Sequence, residues 1–265
     1  MLSPASTFGI STALAFMLAC SPALSKDAPS KQQQLVGGIS YIVPDYQAGA
    51  KFRTPEAIDT ALAENLAKHL STPLKIVRAQ QAQGGELLEK HKADFILASG
   101  LNRSRASLTT IPTGYSAGPM AIMRTDTTIK QPGHLRGRTV CVSEGGSYVG
   151  MLASRYGAIE QVYKAPADSL LALRIGTCDA AVHDSAMLSE LLKLPEWKKF
   201  SASIGLGPSV PLEFVVRSDD LKLAASAKTL TEQWKKNDFL QKETSKRVRH
   251  IAFEVYLDQN VPDCH

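Results

Sequence analysis

The chain has 265 residues, 44% of them hydrophobic and 21% charged, a balance that excludes a disordered chain and suffices for one large or two medium domains. Its formal charge of +5 raises the question of nucleic acid. The lysines and arginines are scattered, however, and no aromatic and basic residues interleave in a recognition pattern, so the charge reads as solubility and no nucleic-acid partner is expected.

The first 25 residues contain no Asp, Glu, Lys or Arg. Residues 8–19 form an apolar stretch too short to span a bilayer but suited to the core of a secretory signal. Ala23 and Ser25 are small residues at the two positions a signal peptidase reads, so residues 1–25 are expected to be a signal peptide and Lys26 the mature start. Met17-Leu18-Ala19-Cys20 also resembles a degenerate lipobox, in which Cys20 would carry lipid. Residues 26–34 read as a polar tether. Export implies an oxidising compartment, where two of Cys141, Cys178 and Cys264 are expected to pair. Cys141 and Cys178 are the better candidates, both lying on predicted strands of one small sheet, with Cys264 free or an alternative partner.

Residues 35–43 are rich in β-formers and stop at Pro44-Asp45, which predicts a first strand. Thr54-Pro55-Glu56 offers a cap, a proline at the first helical position and an acid in the first turn. Ile58, Leu62, Leu66 and Leu70 then continue at helical spacing. Strands at 74–78 and 94–98 flank a short helix at 85–91, the alternation of a parallel sheet with helices on its faces. After Tyr115 a strand at 120–124 restarts the pattern. A strand at 138–143 leads through Gly145-Gly146-Ser147 into a helix ending near Gly157, and a strand follows at 161–163. Asp168 caps a helix that ends at Gly176, and 179–183 is an apolar strand with Asp184 at its carboxyl end. Ligands of open α/β sheets bind at that end, so Asp184 has two readings: contact for a ligand cation, or cap of the next helix. A last strand near 213–217 precedes a mostly helical tail with Leu230, Trp234 and Phe239 as core contacts. Two lobes are expected, one from residues 35–122 and 216–265, the other from 123–215.

Three segments in this order carry a resemblance: Lys92 to Ala106, Leu135 to Ser147 and Leu173 to Ser185. They resemble the bacterial family 3 extracellular solute-binding proteins, periplasmic receptors that deliver polar amino acids and related solutes to ABC transporters, over roughly Leu35 to Phe239. The resemblance implies an α/β, two-lobed type II periplasmic-binding fold with two hinge strands and a ligand cleft between the lobes. It also implies a periplasmic monomer whose partners are a small-molecule ligand, an amino acid or carboxylate, and a transporter permease.

By that resemblance Arg105, or else Arg103, grips the ligand carboxylate in a forked, charge-assisted pair. Ser99 meets the same carboxylate, and Gly145, Gly146 and Ser147 supply an anion seat at a helix N-terminus. Asp184 takes the ligand amino group. Tyr41 and Tyr46, near the end of the first strand, are candidate aromatic contacts, Tyr115 and Tyr148 are further candidates, and Glu144 and Asp59 are candidate selectors for a basic ligand. His183, one residue before Asp184, reads as a satisfied core histidine. Leu101 stands where the family carries Ser or Thr, and the segment before Arg105 is about two residues shorter than usual. Both departures keep open a diverged binding subunit that serves a partner enzyme or sensor.

Catalytic and metal sites are not expected, and neither is a cofactor. The histidines at 69, 91, 134, 183, 250 and 265 lack metal-ligand spacing, and no Cys-x-x-Cys, nucleophile elbow or phosphate loop occurs. A non-enzymatic binding protein is the reading. The alternative from a different class is an enzyme on the same scaffold, dehydratase-like, acting on a small carboxylate.

Overall fold

The computed structural model describes residues 34–42, 51–80, 84–100 and 106–259. Two five-stranded sheets organise them. The first contains β1 (Leu35–Ile39), β2 (Leu74–Arg78), β3 (Phe95–Ser99), β4 (Leu108–Ala117) and the late strand β10 (Val210–Arg217), in the order β2-β1-β3-β10-β4. The second contains β5 (Pro119–Met123), β6 (Thr139–Ser143), β7 (Ile159–Tyr163), β8 (Ala180–Asp184) and β9 (Ala202–Gly205), in the order β7-β6-β8-β5-β9. Each sheet has a parallel core, β2-β1-β3 and β7-β6-β8, extended by antiparallel strands. The central strands β3 and β8 are covered on both faces, which is why they read as unbroken apolar runs rather than alternating ones.

The helices are α1 (Asp59–His69), α2 (Gly84–Glu89), α3 (Met151–Tyr156), α4 (Pro166–Arg174), α5 (Ser185–Leu191), α6 (Leu221–Asn237) and α7 (Phe239–Asp258). Leu62 and Leu66 of α1 enter the first lobe's core with Phe95, Phe214 and Trp234, and full burial stabilises each such side chain by about 2 kcal/mol. Phe214 sits edge-on to Phe95, with ring centroids 5.7 Å apart, and Trp234 stacks on Phe239 at 4.9 Å. Asp220 caps α6 by accepting from the Leu223 N–H at 3.0 Å.

The chain crosses between the sheets twice, at Gly118 between β4 and β5 and at residues 206–209 between β9 and β10. Both crossings lie a few residues before the expected boundaries, so β5 belongs wholly to the second lobe and β10 wholly to the first. The two crossings touch. A Cβ on Gly118 would meet the Pro208 carbonyl oxygen at 2.5 Å, and Ser185 pins the spot by donating its N–H to the Gly118 carbonyl and accepting the Gly118 N–H. The tail also departs from expectation. Asp238, at φ 56°, turns the chain back, and α7 leaves the first lobe to place Val248, Ile251, Ala252 and Val255 against α4 and α5. Those apolar residues recur on one face of the helix, and the second lobe offers the surface that covers them.

Cys141 on β6 and Cys178, just before β8, form a disulfide with Cα atoms 5.9 Å apart. Cys20 and Cys264 lie outside the described residues, as do the residues assigned to the signal peptide. No helix among the described residues is long and apolar enough to cross a membrane.

Candidate functional site

A cavity of about 320 Å³ lies between the lobes. Its wall includes Ser40, Ala79 and Ser99, which end or follow β1, β2 and β3, and Gly145 and Asp184, which follow or end β6 and β8. The carboxyl ends of both parallel cores therefore face one space, the position where open α/β sheets take ligands.

The segment leading into it is residues 51–58, and here the expected helix start is corrected. Regular helix begins at Asp59, not at Pro55. The reason is competition for backbone groups: the Arg247 guanidinium, from α7, donates to the carbonyls of Pro55, Glu56 and Ala57. Glu254 of α7 accepts from the Thr54 N–H and hydroxyl, and Arg53 pairs with Asp168 of α4 and Asp258 of α7. Held this way, Glu56 turns inward across the lobes. Its carboxylate accepts from the Ser143 hydroxyl, lies 2.9 Å from His183 Nδ1 and takes the Asp184 N–H at 3.1 Å. Burial opposes its charge, but His183, Ser143 and the Asp184 N–H together hold Glu56 below the usual carboxylate value.

Asp184 lines the cavity and makes no side-chain cap to α5, so the capping reading fails. Its carboxylate accepts instead from two phenols, Tyr115 of the first lobe at 3.1 Å and Tyr148 of the second. Burial first, and the Glu56 charge second, push the Asp184 carboxyl up to about 6. Asp59, at the start of α1 and also on the wall, is pushed up to about 6 by burial despite a hydrogen bond from Ser40 and the nearby Arg247 charge. The phenols of Tyr115 and Tyr148 are both raised, by burial and then by the Asp184 charge, and remain donors.

The other expected site residues divide. Ser99, Gly145, Gly146, Ser147 and Tyr148 line the cavity with Asp184. Arg103 and Arg105 lie outside the described residues, as do Tyr46 and Leu101. Tyr41 does not line the cavity: its ring lies on Gly145, where a Cβ would come within 2.4 Å of Tyr41 Cγ and where φ is +79°. That contact closes the rim and needs a glycine on both counts. The helix N-terminus expected behind Gly145-Gly146-Ser147 is absent there. α3 starts only at Met151, and Glu160 accepts from two N–H groups at its start, Gly150 N at 2.6 Å and Ala153 N at 2.9 Å. What lies beside the turn is Glu56, whose Oε2 would sit 2.9 Å from a Cβ on Gly146.

His183 is buried and satisfied, as expected of it, but its partners were not foreseen. Nδ1 meets Glu56 and Nε2 meets the Ser169 hydroxyl at 3.0 Å. The line Glu56–His183–Ser169 has the connectivity of an acid–base–nucleophile relay. Ser169 is 0% exposed and off the cavity wall, so it has no substrate to attack there. Glu56 and Arg247 are the contributors that sequence reasoning missed as site-builders, while Tyr115, a candidate aromatic contact, acts here through its hydroxyl on Asp184. One signal pointed to Glu56: a histidine inside a doubly covered strand must find a polar partner, and an acid is the strongest one.

No protein-family model matches the chain, and no curated protein matches it. Solved structures do. The chain is similar to an ancestral cationic amino acid solute-binding protein at 20% identity and TM-score 0.56, covering 81% of this chain and 95% of that one. It is similar to a mutant of ArgBP from T. maritima at 23% identity and TM-score 0.54, covering 80% and 94%. It is also similar to the GluR0 ligand-binding core in complex with L-glutamate, at 14% identity and TM-score 0.53, covering 83% and 100%. The fold is the two-lobed α/β architecture of type II periplasmic-binding proteins.

Proposed function

We propose that the protein is a periplasmic solute-binding protein of the family 3 type, which captures a small amine-bearing solute between its lobes and presents the closed form to an ABC transporter permease. The observation that carries this reading is the cavity at the carboxyl ends of both parallel cores, with the Asp184 carboxylate on its wall. Asp184 receives the ligand's ammonium group, while Ser99, Ser147 and the Gly145-Gly146 backbone supply polar contacts around it. Tyr115 and Tyr148, both bonded to Asp184, fix the carboxylate's direction and carry the first lobe's hold onto the second. The ancestral cationic amino acid solute-binding protein that shares this fold is a precedent for an amine-bearing solute on it.

A thermal-shift screen of the purified protein against amino acids, diamines, small carboxylates and opines tests the reading. A native-state ligand raises the melting temperature by mass action, and Asp184→Ala abolishes the shift. A chain that no solute stabilises at millimolar concentration contradicts it.

A second reading is favoured by one observation: Glu56, Tyr115 and Arg53 already tie the lobes together through the chain's own groups. In that reading the protein is a binding subunit that keeps the closed shape without a free solute and docks on a partner enzyme or sensor. The same screen separates the two.

A further inference from the structure

The reading above, on which this inference rests, leaves the class of amine open, and Glu56 bears on it. A ligand carboxylate held between the lobes would draw on donors of the second lobe as well as the first. The Asp184 N–H and the Ser143 hydroxyl are there, and both already donate to Glu56. His183 also points a ring nitrogen at Glu56, 2.9 Å away. The Glu56 carboxylate is thus seated beside Gly146 as a carboxylate supplied by the chain itself, 6% exposed and held by three partners.

We propose that the solute is a small organic cation without a carboxylate of its own, a diamine or alkylguanidine rather than an α-amino acid, and that Glu56 is the residue that makes this choice. A second carboxylate placed beside Glu56 meets a like charge in a water-poor site, where the Asp184 N–H and the Ser143 hydroxyl are already taken by Glu56. A positive group meets the opposite situation. Asp184 and Asp59 stand on the wall with Glu56, the tyrosines 115 and 148 add aromatic surface suited to a cation, and no basic side chain lines the cavity among the described residues. Arg247, whose charge reaches Asp59 and Asp184, is spent on three backbone carbonyls. The cavity volume, about 320 Å³, is at the small end for ligand sites and suits a chain of a few carbons.

Matched pairs test the carboxylate alone. Agmatine against L-arginine, and putrescine against L-ornithine, differ by that one group, and their dissociation constants for the purified protein are read by isothermal titration calorimetry at pH 8. The expected result is that the decarboxylated member of at least one pair binds tenfold or more tightly than its amino acid. In Glu56→Gln, which keeps the shape and removes the charge, that ratio falls at least tenfold. An amino acid that binds as well as its amine, or better, overturns the inference while leaving the solute-binding reading intact; so does binding of other solutes with neither pair bound. Failure of every solute in the screen overturns the solute-binding reading itself. The wild-type ratios stand as a test even if Glu56→Gln does not fold.

Discussion

Glu56 and His183, separated by 127 residues in the chain, meet across the two lobes with Oε2 and Nδ1 2.9 Å apart. Glu56 comes from the irregular segment before α1 and His183 from the middle of the second sheet, so their contact fixes one lobe against the other. With Tyr115 on Asp184 it makes the cleft a bonded interface rather than an open slot.

Removing one partner of such a buried pair is costly, because the other keeps its desolvation without its contact. Glu56→Ala, which strands His183, Ser143 and the Asp184 N–H together, is expected to lower the unfolding free energy by about 3–5 kcal/mol. His183→Ala is expected to cost a similar amount, and the double variant less than the sum by about 1 kcal/mol or more. Urea denaturation of the four proteins measures the cycle. Strict additivity would show that the two residues do not act as a unit.

Asp59 and Asp184 give the protein a pH dependence with a definite sign. Both carboxyls titrate near 6 in the folded chain, above the ordinary 3.8, so the native state holds more protons than the unfolded one between these values. Their contribution to stability is complete below about pH 4 and is lost as pH rises through 6, to a cost on the order of 3 kcal/mol each at pH 8. Glu56 runs the other way, but its folded value is depressed, so its loss comes at lower pH, outside the range 5–8. The groups facing Asp184 are Glu56, Asp59, Tyr115, Tyr148 and Arg247, and those facing Asp59 are Ser40, Asp184 and Arg247. Asp184→Asn is therefore expected to raise the melting temperature of the unliganded protein at pH 8 and to raise it by about half as much at pH 5. Thermal melts at the two values decide it. A larger gain at pH 5 reverses the sign and refutes the account.

The same titration governs binding. A cation is attracted to ionised carboxylates, so an amine ligand is expected to bind more weakly as pH falls through about 6, with proton uptake on release. Calorimetry in buffers of different ionisation heat reads the protons exchanged. Affinity independent of pH from 5 to 8 would remove Asp184 and Asp59 from the binding step.

The Cys141–Cys178 bond closes a loop of 37 residues within the second lobe. The chain-entropy argument assigns such a loop about 4 kcal/mol. Reduction, or replacement of both cysteines by serine, is expected to lower the unfolding free energy by up to that amount. The loss should appear in the tryptophan signal of Trp197, in the second lobe's core, before that of Trp234 in the first. Single-tryptophan variants followed in urea with and without reductant separate the lobes.

Gly118 is where the two crossings touch. An alanine there would put Cβ 2.5 Å from a backbone oxygen of Pro208, which cannot rotate away as a side chain would. Gly118→Ala is expected to cost about 1–3 kcal/mol and to change the angle between the lobes. Small-angle scattering beside urea denaturation registers both, and a variant with unchanged stability and dimensions would show that the crossings have room to part.

Much of this architecture was legible along the chain, because it follows from short-range rules. Alternating apolar runs and helical stripes at 62–70 and 170–175 announced two α/β units, and both formed, although neither helix carries the side-chain cap expected of it and Asp168 lies inside α4. Asp184 was legible as a strand-end carboxylate because a strand followed by a helix fixes where that end faces. The cysteines at 141 and 178 were readable as strand neighbours. Thr54-Pro55-Glu56 was misleading for a local reason: it satisfies every requirement of a helix start, and only a guanidinium 192 residues downstream from Pro55 takes the carbonyls that the helix would have used. Gly145-Gly146-Ser147 likewise promises an anion seat until Glu160 caps the helix behind it and Glu56 arrives beside it. Periodicity and capping are properties of neighbours in sequence, whereas the pairing of a buried charge is settled by whichever distant group reaches it when the lobes pack. The lobes could be read from the letters; the residue that closes them could be found only where the chain folds back on itself.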